Sequence, residues 1–225
     1  MFARARTVHH VHSDNIVQTI AEEIANSITH GIGAAFSVAG LVILVVTAAL
    51  RGTVWHIVSC AVFGVSLVLL YLSSTLYHAL TARRAKRVFR ILDHASIYLL
   101  IAGSYTPFEL VTLRGAWGWS LFGVVWSLAV AGIIFQSVAL GRWPGFSTGV
   151  YILMGWVAVV AFRPLLHALP WPGFLWLLAG GVAYTAGVVF FAASSKFAHT
   201  VWHFFVLAGS VCHFCAVYFY VLPRR

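Results

Sequence analysis

Charge is what this chain has least of. Only 8% of its residues are charged and only five are acidic, against a hydrophobic share of 61%. A soluble fold needs far more polar surface than this to cover its core, so the composition excludes a water-soluble globular protein. Cysteine is scarce too, and Cys60, Cys212 and Cys215 give no disulfide framework. The Cys212-x-x-Cys215 pair lies inside an apolar run without a second ligand pair, which leaves small packing residues as its reading. The last apolar run has no central lysine for a retinal Schiff base, and no pair of histidines elsewhere matches His199 and His213 for stacked haem ligation. The pattern of a cleaved signal peptide is missing as well, so the N-terminus is expected to be retained. No repeat, low-complexity segment or second domain stands out.

What the chain has in abundance is long apolar runs. Mean hydropathy is +0.94, and a bilayer core needs roughly 20 apolar residues per helical span. Runs near 28–50, 55–79, 91–112, 117–139, 147–163, 172–193 and 200–222 predict an all-α polytopic integral membrane protein, a bundle of seven transmembrane helices. The fifth run is the shortest, cut by Arg163 and Pro164. Residues 1–27 read as a cytoplasmic N-terminal segment, with Asp14, Glu22 and Glu23 between apolar positions of an interfacial helix. Residues 28–222 are the seven-helix domain and 223–225 a short external tail. Pro107 is expected to kink the third span, and Trp55, Trp117, Trp143 and Trp171 read as interfacial anchors.

A net charge of +9 would suggest nucleic acid in a soluble protein, but here it reads as topology, and no nucleic-acid partner is expected. The loop TARRAKRVFR carries five basic residues that resist translocation, and Arg4, Arg6, Arg142 and Lys196 fall on the same side. The N-terminus is therefore placed in the cytoplasm and the C-terminus outside, in the plasma membrane. That orientation brings four chemical groups to one depth. His78 closes the second span on the cytoplasmic side, Asp93 opens the third there, and His199 and His203 open the seventh.

Residues four apart on a helix share a face, about 6 Å apart along the axis. His199 and His203 can therefore chelate one ion, and Ser74 lies one turn before His78. Three neutral imidazoles with an open fourth position match a catalytic zinc centre, because structural zinc is usually closed by four protein ligands. Imidazole-rich, carboxylate-poor ligation favours Zn2+. Asp93 then stands as proton acceptor and Ser74 as a partner for bound water. Each group also has a plainer reading: His78 as an interhelical hydrogen-bonding residue, Asp93 as an ion-paired helix start. His94 points about 100° away from Asp93 and is read as a group supporting the site from behind or as an interface residue, and His213 lies roughly 15 Å too deep to share the ion.

The segments EEIANSITHGIG, YLSSTLYH, ILDHASIYLLIAGSYTPF and HTVWHFFVLAGSVCHFCAVYFYV resemble the hemolysin III family, the bacterial branch of the progestin and adipoQ receptor (adiponectin receptor-like) proteins. The resemblance runs from about residue 20 to 222. It implies a seven-helix membrane fold with zinc near the cytoplasmic face, held by His78, His199 and His203, with Asp93 and Ser74 flanking the zinc-bound water. Glu23, Asn26, Thr29 and His30 match the pattern at the start of the first helix, where Glu23 and His30 are read as a polar network near the site or as helix-capping groups. The wider superfamily takes in the alkaline ceramidases, which implies hydrolysis of lipid amides.

Three functions follow as expectations. The first is a zinc-dependent hydrolase of an amide or ester bond in a lipid-like substrate, with membrane lipids as its partners. The second is a cytolysin or channel, against which the Leu, Val, Ala and Phe of the spans argue, since no polar stripe runs through them. The third is a non-catalytic regulator of membrane lipid or energy state with structural zinc. The sequence leaves the oligomeric state open.

Overall fold

In a computed structural model, which describes residues 18–139 and 142–223, the chain is a bundle of α-helices. The elements are α1 (Ile20–Arg51), α2 (Val54–Ala79), α3 (Arg83–Pro107), α4 (Ala116–Val138), α5 (Pro144–Gly155), α6 (Phe162–Ala168), α7 (Trp171–Phe191) and α8 (Ala198–Ala216). Short π-helical turns, Phe108–Thr112 and Val217–Val221, extend α3 and α8, and a 3-10 turn, Val157–Ala161, links α5 to α6. No strand occurs among the described residues. Expectations for Arg4, Arg6, Asp14, Arg224 and Arg225 lie outside the described residues.

Among the described residues, six helical segments are long and apolar enough to cross a membrane: Ile20–Arg51, Val54–Ala79, Ala116–Val138, Gly145–Ala168, Trp171–Phe191 and Ala198–Val221. The other long helix is α3, whose basic first turns lower its hydropathy. Large apolar side chains crowd the outer surface, among them Phe36, Leu50, Ile134 and Val189. Water would not tolerate so continuous an apolar exterior, whereas lipid does. The anchors Trp117, Trp143 and Trp171 are exposed at the starts of α4, α5 and α7.

Close packing between apolar helices in lipid depends on small residues and interhelical hydrogen bonds. α1 buries one stripe, Asn26, Thr29, His30, Gly33, Ser37, Gly40, Leu44 and Ala48, chiefly against α2. α2 in turn packs on α3, α3 on α4, and α7 on α8, while α1 closes onto α8. Polar ties lock the rotations of these helices. Tyr71 of α2 donates to Ser210 of α8 at 2.7 Å, and the Tyr184 hydroxyl of α7 meets the same serine at 2.8 Å. Trp126 of α4 donates to Thr106 of α3 at 3.1 Å, and Tyr151 of α5 donates to the His94 carbonyl at 3.0 Å.

Two breaks follow from proline. Pro107 ends the α-helical ladder of α3, and the next residues take up a π turn. Pro164, in the first turn of α6, has no N–H for the Val160 carbonyl and crowds it, so the backbone tightens to a 3-10 turn just ahead. The chain nevertheless continues helically past Pro164, so the fifth span runs to Ala168 rather than stopping at 163. The Tyr105 hydroxyl repairs the break, donating to the Gly155 carbonyl at 2.7 Å and accepting the Ala158 N–H at 3.0 Å.

Candidate metal centre

α1 begins earlier than hydropathy places it, at Ile20 rather than near 28, so Glu22 and Glu23 belong to its opening turn. Thr19 caps it. Its N–H donates to Glu22 at 2.9 Å while its hydroxyl accepts the Glu22 N–H at 3.4 Å, the reciprocal Thr-x-x-Glu arrangement of a capping box. This opening turn reaches the two helices that carry the histidines. The other Glu22 oxygen accepts the Phe197 N–H at 2.9 Å, immediately before α8. Phe197 has φ 59°, a left-handed conformation that a bulky residue adopts at a cost unless its surroundings hold it there. Four residues along α1, Asn26 accepts from Thr200 of α8 at 2.5 Å.

Glu23 serves α2 instead. His78 Nδ1 donates to its Oε2 at 2.7 Å, and Lys86 Nζ from the start of α3 donates to its Oε1 at 2.7 Å and to the Tyr77 carbonyl at 3.1 Å. With Nδ1 engaged, a neutral His78 presents Nε2 as a lone-pair acceptor. That Nε2 is buried without a partner among the described residues.

His78, His199 and His203 converge: one ring nitrogen of each lies within 4.8 Å of the others. Ring centroids stand 5.2 Å apart for His78 with His199, 5.2 Å for His78 with His203, and 4.7 Å for His199 with His203. His203 is 1% exposed with its Nδ1 unpartnered. Buried imidazole nitrogens without hydrogen bonds are costly in an apolar bundle; His78 Nε2 and His203 Nδ1 are two such atoms, and together with the half-buried His199 ring they fit a cation that takes nitrogen donors, with Glu23 behind His78 as such ligands usually require.

Other residues singled out in the sequence fall as follows. The Asp93 carboxylate is near enough for its charge to act on His78, and the buried Ser74 hydroxyl approaches it without reaching good hydrogen-bond geometry. His30 does lie at the site but not beside Glu23: its ring stacks on His203 with centroids 3.5 Å apart and interplanar angle 11°. His94 turns aside, its Nδ1 donating to the Arg90 carbonyl at 2.9 Å. His213 meets the Leu177 carbonyl at 3.2 Å instead. Cys60, Cys212 and Cys215 are free. Lys86 and Glu22 are the residues whose roles sequence reasoning missed; Lys86 was one charge among five in a basic loop, and only the Thr19-x-x-Glu22 spacing marked Glu22 out.

A large apolar crevice runs beside this centre, between α3, α5, α7 and α8. At the near end it is walled by Leu70, Trp202, Val206 and Phe191, the last in ring contact with His199 at 6.1 Å. It continues into a second cavity through Ser104, Tyr105, Trp156, Gly181 and His213, which line both.

A family model described as Haemolysin-III related matches residues 18–214. The chain is 50% identical over 209 residues to Hemolysin-3 of Bacillus cereus, covering 92% of this chain and 95% of that protein. It is 48% identical over 203 residues to the Hemolysin-3 homolog of Bacillus subtilis (strain 168), covering 90% and 95%. A human protein, monocyte to macrophage differentiation factor, is 26% identical over 210 residues, covering 90% of this chain and 86% of its own length. No solved structure gives a significant match.

Proposed function

Because the chain belongs to the haemolysin-III related family of multi-pass membrane proteins, we propose that it is a zinc-dependent hydrolase acting on an amide or ester bond of a lipid-like substrate at the cytoplasmic leaflet. The observation that carries this reading is the convergence of three ring nitrogens within 4.8 Å, with the Asp93 carboxylate near His78 and an apolar crevice alongside. In this reading α3 is the seventh crossing, the basic turn at its start is cytoplasmic, and the C-terminus is external.

His78, His199 and His203 would hold the ion. A zinc ion there supplies Lewis acidity, polarising a carbonyl and acidifying water near neutral pH. The chain's own residues do the rest. Glu23 fixes the His78 ring from behind, and His30 fixes the plane of His203 by stacking. Asp93 takes the proton of the attacking water and returns it to the departing nitrogen or oxygen as the bond to the acyl carbon breaks. Ser74 holds the water by its hydroxyl. Phe191 and Trp202 seal the centre from the crevice, where the apolar tail lies.

Elemental analysis of detergent-purified protein tests the ion, with about one zinc per chain expected in wild type and losses in His78→Ala, His199→Ala and His203→Ala. Asp93→Asn tests the reaction: it should keep zinc and fold while losing on the order of 10²–10⁴-fold in turnover of an acyl amide or ester lipid. Wild type that holds no zinc, or an Asp93→Asn variant of undiminished turnover, defeats the proposal. A second reading, membrane lysis, is supported by the printed name of the Bacillus cereus relative. Dye release from liposomes by wild type and His203→Ala alike would favour it.

A further inference from the structure

The far end of the crevice holds an acid that the metal centre does not use. Glu109 lies on the π turn after Pro107, and from Asp93 to Glu109 the chain advances about 24 Å along the α3 axis at roughly 1.5 Å per residue. It is 1% exposed, lines the second cavity, and neither carboxyl oxygen has a hydrogen-bond partner among the described residues. An intramembrane carboxyl without a partner is expensive, and π turns often mark functional sites.

The other polar groups lining this end narrow what it can accept. His213 gives its Nε2–H to the Leu177 carbonyl at 3.2 Å, which leaves Nδ1 as a buried, unpartnered acceptor on the same cavity. Ser104 gives its proton to the Ile101 carbonyl at 2.8 Å, and Tyr105 gives its own to Gly155. Around these groups the walls are apolar, with Leu113, Leu121, Phe162 and Leu177 among them. The cavity therefore offers acceptors and one carboxyl group without a partner, set among apolar walls.

We propose that this end of the crevice binds a single-chain amphiphile with a protonated primary amine. An ammonium group carries three donors, no acceptor and the charge that offsets Glu109. It donates to the Glu109 carboxylate and to His213 Nδ1, and its chain lies along the crevice toward Trp202. A carboxylate headgroup would meet repulsion from Glu109. A hydroxyl supplies one donor and no charge, so it binds more weakly than the amine. The site is separate from the histidine cluster and needs neither metal nor turnover.

The test uses the full chain in phosphatidylcholine nanodiscs, titrated with dodecylamine, 1-dodecanol and dodecanoate, with empty nanodiscs subtracted. Wild type should bind dodecylamine saturably, one per chain. Glu109→Gln, close in shape but uncharged, should weaken that binding at least tenfold while leaving 1-dodecanol unchanged. Glu109→Leu supplies a second comparison should the Gln variant fold poorly, and it should raise the thermal midpoint without ligand, because it removes an unpaired buried acid. The His203→Ala variant should bind dodecylamine like wild type, whatever becomes of the hydrolase reading. Absence of saturable amine binding, equal affinity in wild type and both Glu109 variants, or preference for dodecanoate overturns the proposal.

Discussion

At the scale of single residues, two adjacent glutamates divide the work of assembling the centre. Glu22 accepts the backbone N–H of Phe197 and so steadies the strained turn that launches α8, while Glu23 accepts from His78 and balances Lys86. One positions the pair His199 and His203, the other the lone His78. Removing Glu23 should therefore weaken the site without touching a ligand. Glu23→Ala is expected to lower zinc affinity about 10–100-fold in competition with a chelator, the usual loss when a histidine ligand's supporting carboxylate goes. Glu23→Gln, which still accepts from Nδ1, should lose less. Unchanged affinity in both variants would mean that His78 needs no support from α1.

Among elements, α1 and α3 decide most of the geometry. α1 is a clamp: its first turns join the start of α8 to the end of α2, and below them its small-residue stripe lets α2 approach closely. α3 is the axle of the other half, holding Tyr98, Ala102 and the hydroxyl that mends the Gly155 break against α4 and α5. Its contact with α4 depends on Gly132, where a side-chain carbon would run into the Tyr98 ring. Gly132→Val should cost about 1–3 kcal/mol through overpacking, read as a lowered thermal midpoint in detergent. The same substitution at Gly123, where a side-chain carbon would meet open space, should be near neutral. Equal effects at both positions would show that helix propensity, not the Tyr98 contact, governs α4.

For the molecule as a whole, the basic turn at the start of α3 and the count of crossings fix sidedness together. Six helical segments among the described residues qualify by apolar length, and whether α3 crosses as the seventh decides the side on which the C-terminus emerges. Reporter fusions at the two ends should fall on opposite sides, with a fluorescent reporter at the N-terminus inside and an active phosphatase at the C-terminus outside. Replacing Arg83, Arg84, Lys86, Arg87 and Arg90 by Gln should mix the orientations. Both ends on one side would leave an even number of crossings.

Composition and the roughly 20-residue apolar period were enough to read off an all-helical membrane protein, because lipid demands continuous apolar helices whatever their neighbours. The four-residue spacing of His199 and His203 was equally local, since one helix fixes it. Their meeting with His78 was an expectation of common membrane depth and of the family resemblance, not of any pattern in the helices themselves. What the sequence could not supply was rotation: a helix apolar on every side carries no stripe to say which face turns inward. Hence Lys86 read as one more topological charge, Glu109 passed without notice in an apolar stretch, and His30, read with Glu23 as a polar network near the site or as a capping group, gave no sign of its stacking on His203. Those facings are settled by small residues, by tyrosine-to-serine ties and by the proline breaks, contacts between distant segments that exist only once the bundle has closed.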